Sequence, residues 1–173
     1  MESIEIERVT LAHIEQLQQI GRQTFIETFS EINTEENMTK YLDESFNISR
    51  LTTEIQNMNS EFYFALIDAK VVGYLKINRG DAQTELKNDN TLELERIYVL
   101  NEFHGKKVGQ VLFNKAFQIA EQSKVDYLWL GVWEENHKAL KFYSKNGFTA
   151  FNKHMFVLGD SIQTDIMMKL QIS

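Results

Sequence analysis

The sequence predicts an α/β (α+β) protein with one central sheet and helices on both faces of that sheet. Segments with strand and helix periodicity alternate along all 173 residues, and no linker divides them, because proline is absent and only 8 glycines occur. The hydrophobic fraction of 43% is typical of a globular protein. The apolar run 127–133 suits a strand that is covered on both faces. We therefore expect a single domain over residues 1–173.

The first half of the chain carries three predicted helices between a single strand and a hairpin. Alternating apolar residues favour a first strand, and Thr10 is a candidate N-cap for the helix that follows it. A polar segment after the hairpin predicts a loop. The strands are predicted at 3–9, 61–67 and 71–78, the helices at 11–29, from Thr34 through Leu42 and at 48–58, and the loop at 79–90.

The second half alternates strands and helices and then ends in two strands. Gly147 is placed to end the last helix in the C′ position. The strands are predicted at 92–100, 127–133, 155–158 and 164–170, and the helices at 104–123 and 136–146. The predicted order of elements is therefore β-α-α-α-β-β-β-α-β-α-β-β.

Composition excludes several classes of function. The chain has 18 basic and 25 acidic residues, and the net charge of −7 argues against a nucleic-acid partner while it suits a cationic substrate. Cysteine is absent and the 4 histidines show no metal-ligand spacing, so we expect no metal cofactor. A signal sequence is not apparent, and the apolar run 127–133 is far shorter than the roughly 20 residues that span a bilayer. A cytoplasmic protein without a membrane partner is the expectation.

The loop between the strand 92–99 and the helix after it is a candidate anion site. It contains Gly105, Lys106, Lys107 and Gly109, and free amides at a helix N-terminus bind phosphate groups. The spacing matches neither the dinucleotide fingerprint nor the P-loop. The alternative is that Gly105 serves a turn and that the lysines are merely solvated.

Together with the segment 128–148, this loop resembles the GCN5-related N-acetyltransferase (GNAT) superfamily. The shared features are a strand, a phosphate-binding loop and a later strand–Asn–helix–Phe-Tyr–Gly-Phe segment, in the same order. The resemblance extends to bacterial spermidine/spermine N-acetyltransferases of the PaiA type at 62–78, 81–85, 92–98, 129–134 and 159–165. It implies a mixed sheet of about six to seven strands that splays between the fourth and fifth strands.

The resemblance implies acetyl-CoA as a co-substrate. Its pantetheine arm is expected to pair with backbone in the fourth strand, where an amide near Val99 would hold the thioester oxyanion. Asn136 is expected to meet the same arm, although a helix N-cap also explains an asparagine there. His104 and Lys107 depart from the usual loop residues, and we expect a right-handed backbone at Lys107. The expected cofactor-binding residues are Ile97, Tyr98, Val99, Gly105, Lys106, Lys107, Val108, Gly109, Gln110 and Asn136.

Tyr143 and Glu93 are the expected catalytic residues. By resemblance, Tyr143 donates a proton to the departing thiolate, while its helix face also suits a core aromatic. Glu93 is the expected base, and Glu95 should face the same side of the strand because the two are separated by one residue. The structural alternative is that one glutamate pairs with Arg96 or with a neighbouring lysine.

The expected acceptor is a small amine, with spermidine or spermine as the first candidate. Carboxylates would recognise such a polycation, and the expected substrate-binding residues are Glu31, Glu35, Asp81 and Glu95, with Glu36 and Glu85 as further candidates. Two alternatives stay open. One is an enzyme of the same class for a peptide N-terminus, an amino acid or an aminoglycoside, and the other is a non-catalytic acyl-CoA sensor. The resemblance is also compatible with a homodimer.

Overall fold

The structure, a computed structural model, describes residues 3–172 and contains one seven-stranded mixed sheet with helices on both faces. The strand order across the sheet is β1-β2-β3-β4-β5-β7-β6. The strands are β1 (Glu5–Arg8), β2 (Ser60–Ile67), β3 (Lys70–Arg79), β4 (Thr91–Val99), β5 (Tyr127–Trp133), β6 (Thr149–Leu158) and β7 (Ser161–Gln171). The helices are α1 (Ile14–Phe29), α2 (Glu35–Ser45), α3 (Ile48–Gln56), α4 (Val108–Ser123) and α5 (His137–Lys145).

The predicted fold class and the order of the main elements are confirmed, while several predicted boundaries were wrong, two of them by four residues or more. Helix α4 begins at Val108 rather than at 104, because residues 104–107 form the turn that leads into it. Strand β6 begins at Thr149 rather than at 155. It is the edge strand of the sheet and is largely exposed, so it lacks the apolar alternation that marks a half-buried strand.

The sheet separates two hydrophobic clusters, one for each face. Helix α4 buries Val108, Leu112 and Ala116 against one face, where Tyr143 of α5 also packs. Helices α1, α2 and α3 cover the other face with residues such as Leu17, Leu42 and Leu51. Each helix thus buries one apolar stripe, as its periodicity predicts. None of the helices within residues 3–172 combines the length and the apolar character that a bilayer crossing requires.

A β-bulge in β4 changes which side chains face each cluster. Lys76 of β3 lies opposite Arg96, and the next residue, Ile77, lies opposite Leu94, so Glu95 has no partner of its own. Before the bulge, Leu92 and Leu94 face the α4 side, and after it Ile97 and Val99 face that same side. The bulge therefore sends Glu93, Glu95 and Arg96 together to the α1–α3 side.

Strands β4 and β5 are parallel but pair only at their beginnings. The paired residues are Thr91–Glu93 on β4 and Tyr127–Trp129 on β5. Beyond them β4 continues along β3 as far as Val99, whereas β5 continues along β7 as far as Trp133. The two strands therefore separate and leave a gap in the sheet, which confirms the expected splay.

Candidate active site

One wall of the gap is the free backbone edge of β4. The amide of Leu100 donates to the carbonyl of Val72 on β3, and the Tyr98 carbonyl oxygen lies 2.7 Å from where a Cβ on Gly73 would stand. Alternate residues of an antiparallel strand bond to the same neighbour. Tyr98 and Leu100 are thus directed to β3, while Ile97 and Val99 present their N–H and C=O groups to the gap. That edge can receive an extended chain as an added strand.

His104 ties the loop after β4 to both walls of the gap. Its Nε2 lies 2.8 Å from the carbonyl oxygen of Val99, and its Nδ1 lies 3.0 Å from Nζ of Lys138 at the start of α5. Since Lys138 can only donate and the carbonyl can only accept, the ring carries its proton on Nε2. The histidine that departs from the usual loop pattern therefore has a structural role.

The loop before α4 has open space around its two glycines. Gly105 has φ +82°, and a Cβ at Gly105 or Gly109 would meet no other atom within 4 Å. Lys107, the N-cap of α4, has φ 67° and ψ 14°, so the expected right-handed backbone was wrong. The turn into the helix requires a left-handed residue here, and a side chain in that region costs about 1–2 kcal/mol. The two glycines of this loop therefore leave open space where a side chain would stand.

Asn136 and Tyr143 lie on the β5 side of the gap. Asn136 caps α5, because its Oδ1 accepts a hydrogen bond of 3.2 Å from the amide of Ala139. Tyr143 is 7% exposed and packs against Phe142 and Phe148, with ring centroids 5.5 and 5.6 Å away. Burial raises the pKa of the Tyr143 hydroxyl, so this phenol stays protonated at neutral pH.

Glu93 is buried and holds the loop between β3 and β4. Its Oε1 accepts from the Thr84 amide at 2.8 Å and from Nδ2 of Asn78 at 3.0 Å, and its Oε2 accepts from the Thr84 hydroxyl at 2.6 Å. Burial raises the pKa of Glu93. Both carboxylate oxygens are engaged, which leaves at most part of Oε2 for a further partner.

Glu95 is a paired ion, as the structural alternative proposed. Its carboxylate lies 2.8 Å from Nζ of Lys76 and 3.2 Å from Nε of Arg96, and it accepts a 2.8 Å hydrogen bond from Asn78. Burial by itself would raise the pKa of Glu95, but Arg96 and Lys76 outweigh that effect and lower the pKa to about 2. Glu54 of α3 also contacts Lys76, at 2.8 Å.

A cavity of about 560 Å³ lies beside this ion network, between α3 and the sheet. Three cationic side chains and two carboxylates line it: Arg50, Lys76, Arg96, Glu54 and Glu95. The cations outnumber the carboxylates, so the cavity walls do not attract a polycation.

A second group of ionisable side chains lies over Gly131 of β5. Nε2 of His154 on β6 is 3.5 Å from Oδ2 of Asp165 on β7, and Nδ1 is 3.4 Å from Oε1 of Glu85 in the β3–β4 loop. A Cβ on Gly131 would lie 3.2 Å from Cε1 of His154. Gly131 is two residues beyond the last β4–β5 pair and so borders the gap. Because Glu85, His154 and Asp165 lie at this border, we call them the rim cluster.

Sequence reasoning named Glu85 but missed His154 and Asp165. The signal was present in the Gly159-Asp160 dipeptide, which is typical of a two-residue hairpin turn. A turn there sets the register of β6 and β7, which puts His154 opposite Asp165. The meeting of this pair with Gly131 depends on the β5–β7 pairing, for which no comparable signal exists.

The other expected substrate-binding residues lie outside the ion network of Glu95 and outside the rim cluster. Glu31, Glu35 and Asp81 are exposed. The segment that carries Glu31 and Glu35 borders the β6–β7 hairpin, since Phe156 packs against Phe29 and Tyr41 with centroids 6.3 and 5.8 Å apart. Across residues 3–172, no three His, Asp or Glu side chains are arranged to hold a metal ion.

The chain is similar in sequence to known acetyltransferases. A model of the acetyltransferase (GNAT) family matches residues 22–148. An uncharacterized N-acetyltransferase in the pepI 3′ region of Lactobacillus delbrueckii subsp. lactis is 40% identical over 169 residues, which cover 98% of each chain. A spermidine N(1)-acetyltransferase of Thermoplasma acidophilum is 29% identical over 151 residues, which cover 84% of this chain and 88% of that protein.

Solved structures agree in fold. The PaiA N-acetyltransferase of Thermoplasma acidophilum, crystallised in complex with coenzyme A, superposes with a TM-score of 0.81 at 25% identity, over 98% of this chain and 99% of that one. A probable acetyltransferase of Staphylococcus epidermidis superposes with a TM-score of 0.78 at 18% identity, over 99% and 100% of the two chains.

Proposed function

This chain belongs to the GNAT family of N-acetyltransferases, and from that premise we propose that its acceptor is a polyamine such as spermidine or spermine. Acetyl-CoA is the acetyl donor of the family, and the fold described above is the one that binds it.

The rim cluster carries the polyamine proposal. Asp165 places a carboxylate beside exposed Gly131, and Glu85 adds a second carboxylate on the other side of His154. A polyamine carries several ammonium groups, and charge-assisted hydrogen bonds to carboxylates are the strongest contacts a protein can offer them. The net charge of −7 and the similarity to a spermidine N(1)-acetyltransferase support the same acceptor.

The backbone of β4 orients the donor in this proposal. The N–H and C=O groups of Ile97 pair with the pantetheine arm, while the Val99 carbonyl is held by His104. The amide of Val99 donates to the thioester oxygen as negative charge develops there. Amides of residues 106–110 hold the phosphates, and Lys106 and Lys107 add positive charge. Asn136 reaches the same arm from the other wall while it caps α5.

Tyr143 assists departure of the thiolate. A phenol has an ordinary pKa near 10 and a thiol near 8.5, and burial raises the Tyr143 pKa further. Complete proton transfer from tyrosine to sulfur is thus uphill by at least about 2 kcal/mol. We propose that Tyr143 mainly donates a hydrogen bond to the developing thiolate, with the proton following through solvent.

Glu93 has two roles in this proposal: it holds Thr84 in place, and it relays a proton. Its raised pKa favours proton uptake, but its carboxylate is 3% exposed and already accepts three hydrogen bonds. Any proton that reaches Glu93 from the acceptor therefore travels through Thr84 or a water molecule. Glu93→Gln should weaken the hold on Thr84 as well as the relay.

A panel of amines tests the acceptor. Release of thiol from acetyl-CoA is followed with spermidine, spermine, a simple monoamine, an amino acid, a peptide N-terminus and an aminoglycoside. We expect the highest kcat/KM for a polyamine. The proposal fails if polyamines are no better than the monoamine.

Charge-removing variants connect the preference to the rim cluster. Glu85→Gln and Asp165→Asn together should raise the KM for spermidine about tenfold, the equivalent of 1.4 kcal/mol, with little effect on the KM for the monoamine. Glu135→Gln is the matched control, because Glu135 is exposed beside His137 at the surface. Equal effects on both amines would contradict the assignment.

A further inference from the structure

We infer that His154 is a catalytic residue that accepts the proton of the acceptor ammonium before the amine attacks. The inference rests on acetyl transfer to a protonated amine, and it holds for any such amine. A primary ammonium with a pKa near 10.4 is almost entirely protonated at neutral pH, and only the free amine has the lone pair that attacks a thioester. A group at the gap must therefore take that proton.

The position of His154 at the gap follows from the strand pairing. Pairing between β4 and β5 ends at Glu93 and Trp129, and Gly131 lies two residues further along β5, where β4 has already diverged. The imidazole edge lies over Gly131, with Cε1 3.2 Å from the position of a Cβ there. Because Gly131 has no side chain and is exposed, the ring borders open space at the rim of the gap.

The surroundings of the ring suit a proton acceptor. Asp165 from β7 and Glu85 from the β3–β4 loop are the charged groups in contact with the ring, and β5 contributes only Gly131. Both carboxylates lie within 3.5 Å of a ring nitrogen. Glu85 lies 3.4 Å from Nδ1 but makes no hydrogen bond to it, and Nδ1 is a buried atom without a hydrogen-bond partner among the described residues, so Nε2 is the nitrogen that we assign to proton uptake.

This arrangement differs from that of Glu93. The His154 side chain is 25% exposed, whereas Glu93 is 3% exposed and its two oxygens already accept three hydrogen bonds. The His154 side chain is therefore more accessible than Glu93, whose carboxylate is reached only through intervening groups.

The step balances as follows. One N–H bond of the ammonium breaks, and its proton binds an imidazole nitrogen of His154. The freed lone pair forms the C–N bond to the thioester carbonyl carbon, and the C–S bond breaks with its electron pair leaving on sulfur. The second proton lost from nitrogen offsets the negative charge of the thiolate, and His154 returns the first proton to solvent. The products are the amide, free CoA thiol and one proton.

The test compares His154→Ala and His154→Gln with the wild-type enzyme and whichever amine it acetylates best. We expect kcat/KM at pH 7 to fall by about 10²-fold or more, with an unchanged KM for acetyl-CoA. Added imidazole should restore part of the activity of His154→Ala. His13→Gln is the matched control, since His13 is 24% exposed and lies 3.3 Å from Glu7 in the turn before α1.

An acceptor that is already unprotonated at the assay pH separates proton transfer from a structural role. With an amine of low basicity the loss in His154→Gln should largely disappear. Glu85→Gln and Asp165→Asn should each lower kcat/KM for the basic amine more than for the weakly basic one, because each removes a carboxylate that contacts the ring. An acetyl-CoA-dependent rise in Tm marks a folded enzyme. If the His154 variants do not show it, the two carboxylate variants provide the test in their place.

Several outcomes would overturn the inference while leaving acetyl transfer intact. They are wild-type rates in both His154 variants, a loss that imidazole does not relieve and that is equal for the weakly basic amine, or wild-type rates in both carboxylate variants. Failure of the wild-type enzyme to acetylate any amine would instead overturn the proposed function, and this inference with it.

Discussion

Replacement of Glu95 by glutamine tests the ion network behind the gap. The Glu95 carboxylate lies 2.8 Å from Nζ of Lys76 and 3.2 Å from Nε of Arg96. Burial raises its pKa, but the two cations outweigh burial and lower the value from 4.5 to about 2. The folded protein therefore favours the ionised form more strongly than the unfolded chain does.

The magnitude and its sign follow from linkage. At 1.36 kcal/mol for each pKa unit, the shift from 4.5 to about 2 contributes about 3 kcal/mol to the free energy of unfolding. Because the folded pKa is lowered, this contribution is fully present above 4.5 and is lost as pH falls from there through about 2. Glutamine is neutral at every pH, so Glu95→Gln should be less stable than wild type by about 3 kcal/mol at pH 7 and by only about 1.4 kcal/mol near pH 3.

Urea unfolding followed by tryptophan fluorescence measures this difference at several pH values between 7 and 3. Glu102→Gln is the control, because Glu102 makes an ion pair of similar length with Lys70, 3.1 Å, but at an exposed site. An exposed pair contributes at most about 1 kcal/mol. A Glu95→Gln deficit below about 1 kcal/mol at pH 7, or one that stays constant down to pH 3, would refute the reasoning.

Two further substitutions test local features of the site. Lys107→Gly should stabilise the fold by about 0.5 kcal/mol, because the relief of left-handed strain at residue 107 is larger than the loss from the greater chain entropy of glycine. Lys106→Gly is the control and should destabilise the fold, because Lys106 is not left-handed. Thermal unfolding compares the two variants, and a change of the same sign in both would contradict the strain at Lys107. Gln83→Ala should destabilise the fold by about 2 kcal/mol and lower kcat/KM, because Gln83 is 1% exposed and accepts a 2.7 Å hydrogen bond from the Trp129 indole, which fixes the loop that carries Thr84 and Glu85. Unfolding in urea and the acetylation assay check this, and wild-type values in both would show that the loop is held by other contacts.

Much of the fold could be predicted because its signals are local. The helices α1 and α4 and the strands β2, β3 and β5 have strong periodicity, and their positions came from residues that are neighbours in sequence. The bulge in β4 left a weaker trace. Apolar residues occupy the even positions 92 and 94 but the odd positions 97 and 99. The alternation therefore shifts by one residue between 94 and 97, as an inserted residue requires.

Backbone conformation at Lys107 was predicted wrongly for an instructive reason. The intrinsic preference of a lysine is right-handed, and the prediction gave that preference the decisive weight. In the structure the turn from the loop into α4 requires φ 67° at this position. A preference of about 1–2 kcal/mol for one residue is overridden when the strand and the helix on either side are held by many buried contacts.

The sequence alone determined the main elements and the family resemblance, because each depends on residues close together in the chain. The tertiary structure decided which glutamate is a paired ion and which residues border the gap. Glu95 contacts both Lys76 and Arg96 because the bulge puts Glu95 and Arg96 of β4 on one face, the face that Lys76 of β3 also occupies. Glu85, His154 and Asp165 meet at Gly131 because the pairing of β5, β6 and β7 and the fixed β3–β4 loop bring four distant segments together. Such contacts depend on strand register across the whole sheet, and register is set by the packing of the complete core rather than by any local pattern.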